Sequence, residues 1–188
     1  MIASVQKAPR LTQDVANRIV SEIYAIEGSA TPLPSERDQN FLIKIQKPDR
    51  EGGCNNEQFV LKIANSEESL EFLELQNQMM QFLGARQIDL EFPRIVPTRT
   101  GDNIARITDE DGRRHFVRLL TWIEGVCFAE VQPHGRKLLA SLGRRWRKWM
   151  RRWSNSLIRR RAATFIGTCA VPRGRRNSSD SCLIIGVN

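Results

Sequence analysis

Cysteine and histidine are scarce in this chain of 188 residues, and their scarcity excludes several classes of protein. Four cysteines, Cys54, Cys127, Cys169 and Cys182, stand far apart without Cys-x-x-Cys spacing, and His115 and His134 are not grouped with them. That pattern argues against a structural zinc site and against a disulfide scaffold, and it suits a reducing, cytoplasmic setting. No apolar run is long enough to span a bilayer, and the N-terminus lacks the apolar segment of a signal peptide.

Acid is also missing, but from one region only. Residues 144–188 hold 12 Lys and Arg against 1 Asp, whereas residues 1–143 hold 17 against 20. The formal net charge of +8 thus hides a segment near −3 joined to one of +11, with the change of composition near Gly143.

Within the balanced part, Phe59, Leu61 and Ile63 alternate with Gln58, Val60 and Lys62, the period-two pattern of a strand that puts Lys62 on the face opposite Leu61 and Ile63. A break at Asn65-Ser66 follows. A capping signal at Ser66, two Glu in the first turn and apolar residues at Leu70, Leu73, Met80 and Leu83 then predict a helix over 67–83. A strand lysine followed by such a helix is how kinase-like folds hold nucleotide phosphates, the ammonium touching the phosphates and a helix carboxylate fixing the ammonium. Glu74 is the preferred carboxylate and Glu71 the reserve. A solvent-tipped lysine beside an ordinary amphipathic helix fits this stretch equally well.

The segments around it complete a consistent order. Leu11–Tyr24 reads as an amphipathic helix with Val15, Ile19, Val20 and Ile23 on one face. Tyr24–Gly28 reads as a strand, residues 31–40 as a polar turn with two prolines, and Phe41–Ile45 as a second strand. Lys47–Asn56 reads as a hairpin tip. Gly28 stands alone, so the turn is not a Gly-x-Gly-x-x-Gly phosphate clamp, although Ser35, Arg37, Gln39 and Asn40 can still offer donors to phosphate oxygens. A solvated turn explains the same residues. Further on, Phe92–Pro97 is an extended connector. Ile104–Ile107 and His115–Leu120 are paired strands around the Asp109–Gly112 turn, and His115 reads as a strand residue with no partner in sequence. Trp122 fits a core position as well as a base platform.

Four spaced matches, Leu33-Pro34-Ser35 with Asp38-Gln39-Asn40-Phe41, Phe59-Val60-Leu61-Lys62-Ile63, Glu74-Leu75-Gln76-Asn77, and Val117-Arg118-Leu119-Leu120-Thr121 leading to Gly125, together resemble the aminoglycoside phosphotransferase superfamily. Within it they are similar to hydroxylysine kinase and to phosphotransferase modules fused to class III aminotransferases. The resemblance covers about residues 10–143. It implies an α+β, protein-kinase-like N-terminal lobe with a twisted antiparallel sheet of about five strands and one main packed helix. It also implies ATP or GTP with Mg2+, and transfer of phosphate to a hydroxyl of a small amino compound. Lys62, Glu74, Ser35, Gln39 and Asn40 become the nucleotide-binding candidates. That family's His-Gly-Asp catalytic loop, its following Asn and its later metal-binding Asp have no counterpart in residues 126–188, so no catalytic or metal residue is assigned. The expectation is poor nucleotide binding and no transfer.

The segment 144–188 departs from the family. Trp and Met have single codons, so part of the coding DNA follows from the protein. Read one base earlier, the junction of Trp149 and Met150 encodes Asp, and permitted codon choices over the surrounding run spell Ala-Leu-Ala-Glu-Met-Asp-Ala-Ala-Leu. Ser156–Arg159 can give Phe-Ala-His-Pro, and Thr164–Cys169 can give Asp-Phe-His-Trp-Asp-Leu, both expected of the family. The tail therefore reads as out of frame, helical or disordered, and largely unpacked from Ser154 to Asn188. Its rival is a basic amphipathic helix suited to nucleic acid or an anionic membrane. A lobe without its partner lobe should also expose apolar surface around Trp122, Ile123, Leu138, Leu139 and Leu142.

Overall fold

The computed structural model describes residues 8–48, 54–85, 91–154 and 184–185. They fall into two compact units, one within residues 1–81 and 93–122, the other within residues 82–92 and 123–188.

The first unit opens with helix α1 (Gln13–Tyr24). Thr12 caps it, its hydroxyl accepting from the Val15 amide at 3.3 Å. It ends at Ala25, whose φ of 54° and amide bond to the Ser21 carbonyl turn the chain out of the helix. Here the structure corrects the sequence reading: Tyr24–Gly28 is a helix exit, and the strand is β1 (Ser29–Leu33), which overlaps the start of what reads as a polar turn. The reason is its place at the edge of the sheet. Pro32 needs no ladder donor on the outward side, so a proline-containing segment can pair there. Gly28 lets the chain pass close to β2 (Gln39–Pro48), because a Cβ at that position would lie 2.9 Å from the Lys44 carbonyl oxygen.

Strand β2 pairs antiparallel with β3 (Cys54–Ile63) over ten residues, including Phe41 with Leu61 and Asn40 with Lys62. The hairpin tip, residues 49–53, lies outside the described residues. Helix α2 (Leu70–Gly84) follows and starts later than expected. Ser69 is its cap, bonding the Phe72 amide at 3.2 Å, while Ser66 sits in a turn where Asn65 Oδ1 accepts from the Glu67 amide. Three more strands, β4 (Ile95–Val96), β5 (Ala105–Thr108) and β6 (Arg114–Thr121), complete a six-stranded sheet in the order β1-β2-β3-β6-β4, with β5 also on β6. Every pairing is antiparallel, so the unit is α+β.

The alternation in β2, β3 and β6 decides which face is core. Phe41, Ile43, Leu61, Ile63, Val117 and Leu119 are buried together with Ala16, Ile19, Val20 and Tyr24 of α1. Asn40, Lys62 and Arg118 are direct cross-strand partners and share the opposite face.

The second unit contains the short strand β7 (Val126–Cys127), a single 3-10 turn at Phe128–Glu130, helix α3 (Arg136–Ser154) and strand β8 (Ile184–Ile185), which pairs with β7. Stacking of Phe128 and His134, with ring centroids 4.3 Å apart, closes the loop before α3. The change of composition at Gly143 falls inside α3, which runs through it unbroken. Of the apolar residues expected at the surface, Leu139 is exposed, Trp122, Leu138 and Leu142 are half-buried, and Ile123 is buried. The expectations for residues 155–188, Ile184–Ile185 excepted, lie outside the described residues.

Candidate functional site

Three strands bring Asn40, Lys62 and Arg118 into one row, and only in the folded chain are these residues neighbours. Lys62 is half-buried. Burial holds its ammonium below the ordinary lysine range, the Asp38 carboxylate opposes that shift, and the Arg118 guanidinium adds to it.

No ion pair or hydrogen bond joins Lys62 to Glu74 or Glu71 among the described residues, and both glutamates are exposed. Instead, Arg118, only 4% exposed, ties α2 to the sheet. Its guanidinium donates to Asn77 Oδ1 at 2.9 Å, Gln76 Oε1 at 2.8 Å and the Leu73 carbonyl at 3.4 Å. A planar fork of donors meets three helix acceptors at once, which an ammonium could not do. Glu74 lines a groove of about 910 Å3 on another flank of α2, bounded by Glu22 and by residues 98–106. This rotation of the helix, rather than its distance along the chain, separates Glu74 from Lys62.

The turn before β2 is tied to the end of the lysine strand. Asp38 Oδ1 accepts from the Asn65 amide at 3.1 Å, and Asn65 Nδ2 donates to the Arg37 carbonyl at 3.2 Å. Arg37 reaches Glu68 at 3.4 Å, a partly exposed pair worth little by itself. Two buried polar atoms in this turn lack partners, Arg37 Nε and Asn40 Oδ1. The donors proposed from sequence divide accordingly. Asn40 stands in register beside Lys62, and Ser35 is exposed in the turn. Gln39 is spent elsewhere, its amide bonding the Leu11 backbone amide at 2.7 Å and carbonyl at 2.8 Å.

His115 has two partners where sequence shows none. Nearly fully buried, it places Nδ1 2.9 Å from the Ala64 carbonyl and Nε2 3.1 Å from Asp109 Oδ2, joining the β5–β6 turn to the end of β3. At Asp109, burial raises the carboxyl's proton affinity, but hydrogen bonds from His115 and the Arg113 amide outweigh it and leave the group below its usual value. The signal for this pair in the sequence is the Asp109–Gly112 turn itself, which folds a carboxylate back onto the strand six residues later.

A phosphate would meet complementary groups here. Lys62, on the sheet face opposite the core, has no ion pair with an acid among the described residues, and the buried Arg37 Nε of the turn before β2 has no acceptor. Metal ligation is less well provided, since no group of three His, Cys, Asp or Glu converges among the described residues.

No protein-family model matches the chain. The hydroxylysine kinase of Xenopus laevis is 36% identical over 129 residues, which is 65% of this chain and 33% of that protein. That of Mus musculus is 36% identical over 131 residues, covering 65% and 34%, and that of Danio rerio 32% over 136 residues, covering 69% and 36%. The chain spans about a third of the length of these relatives. Over that region it is similar in sequence to the hydroxylysine kinases. Among solved structures, a microcompartment-associated aminopropanol kinase superposes with a TM-score of 0.47 at 18% identity, covering 62% of this chain and 33% of that one. An amicoumacin kinase in complex with AMP-PNP, Ca2+ and Ami gives 0.47 at 17%, covering 64% and 34%.

Proposed function

We propose that residues 10–143 are the nucleotide-binding lobe of a hydroxylysine kinase-type phosphotransferase, with Lys62 as its phosphate-holding cation. The observation that carries this is Lys62 itself: half-buried, on the strand face opposite the core, with Asp38 only partly offsetting its burial and no ion pair to an acid among the described residues. Asn40 and Ser35 would contribute from the turn, with Arg37 beside them, whereas Glu74 or Glu71 would pair with Lys62 only after α2 rotates. The family reaction passes the γ-phosphate of ATP or GTP, with Mg2+, to a hydroxyl of a small amino compound. Lys62 would neutralise phosphate charge there without itself breaking a bond.

The base that takes the substrate proton and the carboxylates that hold the metal are not supplied by residues 126–188, where no His-Gly-Asp sequence occurs. No catalytic base or metal ligand is therefore assigned within these residues. Titration with ATP and GTP, with and without Mg2+, should give weak binding that Lys62→Ala abolishes. Binding unaffected by that substitution overturns the assignment.

We also propose that residues 144–188 are translated out of frame. Sequencing the coding DNA decides this, because a one-base insertion, or a two-base deletion, near the Arg144 codon should open a frame that continues into a His-Gly-Asp loop. A downstream sequence without such a loop removes the frame reading and leaves the lobe assignment standing.

A further inference from the structure

Helix α2, the end of α1 and the segment 98–106 line the groove of about 910 Å3 that holds Glu74. A site for a small molecule commonly measures about 300–1,000 Å3. Only Ile23, Leu70, Ile104 and Ala105 of its lining are apolar, so the groove suits a polar ligand. Its walls are set by the chain itself. The Arg99 amide donates to the Ile23 carbonyl at 2.9 Å, and the Thr98 amide to the Asp102 carbonyl at 2.8 Å, which ties the loop to α1 and to itself. The Asp102 carboxylate can only accept, so the Thr100 hydroxyl donates to its Oδ2 at 2.8 Å and the Thr98 hydroxyl donates to Thr100 at 2.9 Å. On the α2 side stands Asn77, only 4% exposed. Arg118 can only donate, so the Asn77 atom it meets at 2.9 Å is the amide oxygen, and Nδ2 has no partner among the described residues. Arg37 Nε and Asn40 Oδ1 are the sealed polar atoms without partners, whereas Asn77 Nδ2 stays open to the groove. Four charges share this lining. Glu22, Glu74 and Arg99 make no ion pair with one another or with any other described residue. Arg106 lies over the Phe116 ring, 5.5 Å from its centroid, which steadies the guanidinium and leaves its N–H groups free.

We propose that this groove binds a small zwitterion, one molecule that carries both an ammonium and a carboxylate. The fixed donor of Asn77, together with Arg99 and Arg106, calls for an anionic acceptor, and a guanidinium meets a carboxylate through paired N–H bonds. Glu22 and Glu74 call for a cation. A phosphate would satisfy the arginines and be repelled by both glutamates. A simple cation would leave the arginines and the Asn77 donor unmatched, and no group of three His, Cys, Asp or Glu gathers to hold a metal among the described residues. A molecule of both signs meets every one of these groups and is disfavoured by none. All the lining residues belong to the sheet unit, and Lys62, Asn40 and Ser35 are not among them. The inference is therefore independent of the nucleotide-lobe assignment and of how the tail arose.

The test titrates the full chain, isotope-labelled for NMR, with 6-aminohexanoate up to about 50 mM at about 20 mM salt, where exposed charges are little screened. The side-chain amide signals of Asn77 should move and saturate. Hexylamine and hexanoate each carry one half of that ligand's charge and should bind about ten-fold more weakly. Diglycine has a similar span with a peptide group between its charges. Tighter binding of diglycine identifies a peptide end as the source, and tighter binding of 6-aminohexanoate a free amino acid. Asn77→Asp keeps an acceptor for Arg118 and removes the donor, and should weaken binding about ten-fold. Arg99→Gln and Glu22→Gln alter exposed side chains outside the core, so they keep the test open if Asn77→Asp fails to fold. Each should weaken binding about three-fold. Absence of a saturable shift, equal binding by either half-ligand, or binding unchanged in both Arg99→Gln and Glu22→Gln would each overturn the proposal. Displacement by ATP would overturn it as well, by placing the ligand at the lysine row.

Discussion

The sheet unit and helix α3 solve the problem of charge in opposite ways. In the sheet unit, acids and bases are nearly balanced, and its buried polar groups are matched across long sequence distances, as Arg118 is with Gln76 and Asn77 or His115 with Ala64. Helix α3 carries no acidic residue in its sequence, and its charges are instead sorted from the apolar residues around the helix axis. Internal pairing fixes distant elements against one another, whereas sorting only decides which side of a helix is apolar. The difference says where substitution should damage the structure and where it should not.

Leu61→Ala should give the largest effect, a loss of about 2–5 kcal/mol, because Leu61 is fully buried against Phe41 and Leu119 in the ladder and its removal opens a cavity between α1 and the sheet. Trp146→Ala should change unfolding free energy by no more than about 0.5 kcal/mol, since half of that residue is already in solvent. Urea denaturation followed by far-UV circular dichroism compares the two, and equal losses would erase the distinction between the regions.

Arg118→Met comes next, at about 2–4 kcal/mol, because it strands Asn77 Oδ1 in a buried position and releases α2 from the sheet. Hydrogen exchange should report faster opening of α2 than of β2 and β3. Arg118→Lys should recover only part of the loss, since a single ammonium cannot serve three acceptors. Full recovery would mean that charge, not geometry, holds the helix.

Much of the sheet unit is legible in sequence for a local reason: alternation in β2, β3 and β6 and the 3.6-residue stripe of α1 are written within short windows. Strand β1 is not, because Ser29-Ala30-Thr31-Pro32-Leu33 has the composition of a turn and becomes a strand only by pairing at an edge. Ser66 reads as the cap, but Asn65 draws the residues around it into a turn and Ser69 caps the helix instead. The site suffers most. Lys62 was recognisable from its strand, but Glu74 depended on the rotation of α2, and Arg118, 56 positions beyond Lys62 in number yet its direct partner across the ladder, looks like any solvent-tipped strand arginine. Residue type and spacing do not encode which face of a helix a distant strand will grip.

Acid should expose the His115 link. The folded-state carboxyl of Asp109 lies below its ordinary value of about 3.9, so its contribution is complete above that value and is lost as pH falls through the lower, folded one. Asp109→Asn should therefore reduce stability at neutral pH and flatten the acid limb of the pH profile. A variant that keeps the parent's acid slope would show that other carboxylates set it.

Lys62 should give the smallest change in stability, and its direction is the informative part. Burial presses on an ammonium that has no ion pair with an acid among the described residues, so the fold gains little from the charge and bears the cost of desolvating it. Lys62→Met keeps the length of the stem and removes the charge, and should alter unfolding free energy by about 1 kcal/mol or less, neutral or stabilising. The pH dependence follows from the same displacement. With the folded-state value below the unfolded one of about 10.4, the unfolded chain binds the proton more tightly, so the parent protein should gain stability as pH rises through that interval and lose it as pH falls through the folded value. Lys62→Met should lack this alkaline gain while also losing nucleotide binding. A loss of more than about 2 kcal/mol at neutral pH would mean that Lys62 holds the fold together, and its place as the unsatisfied cation of a phosphate site would have to be given up.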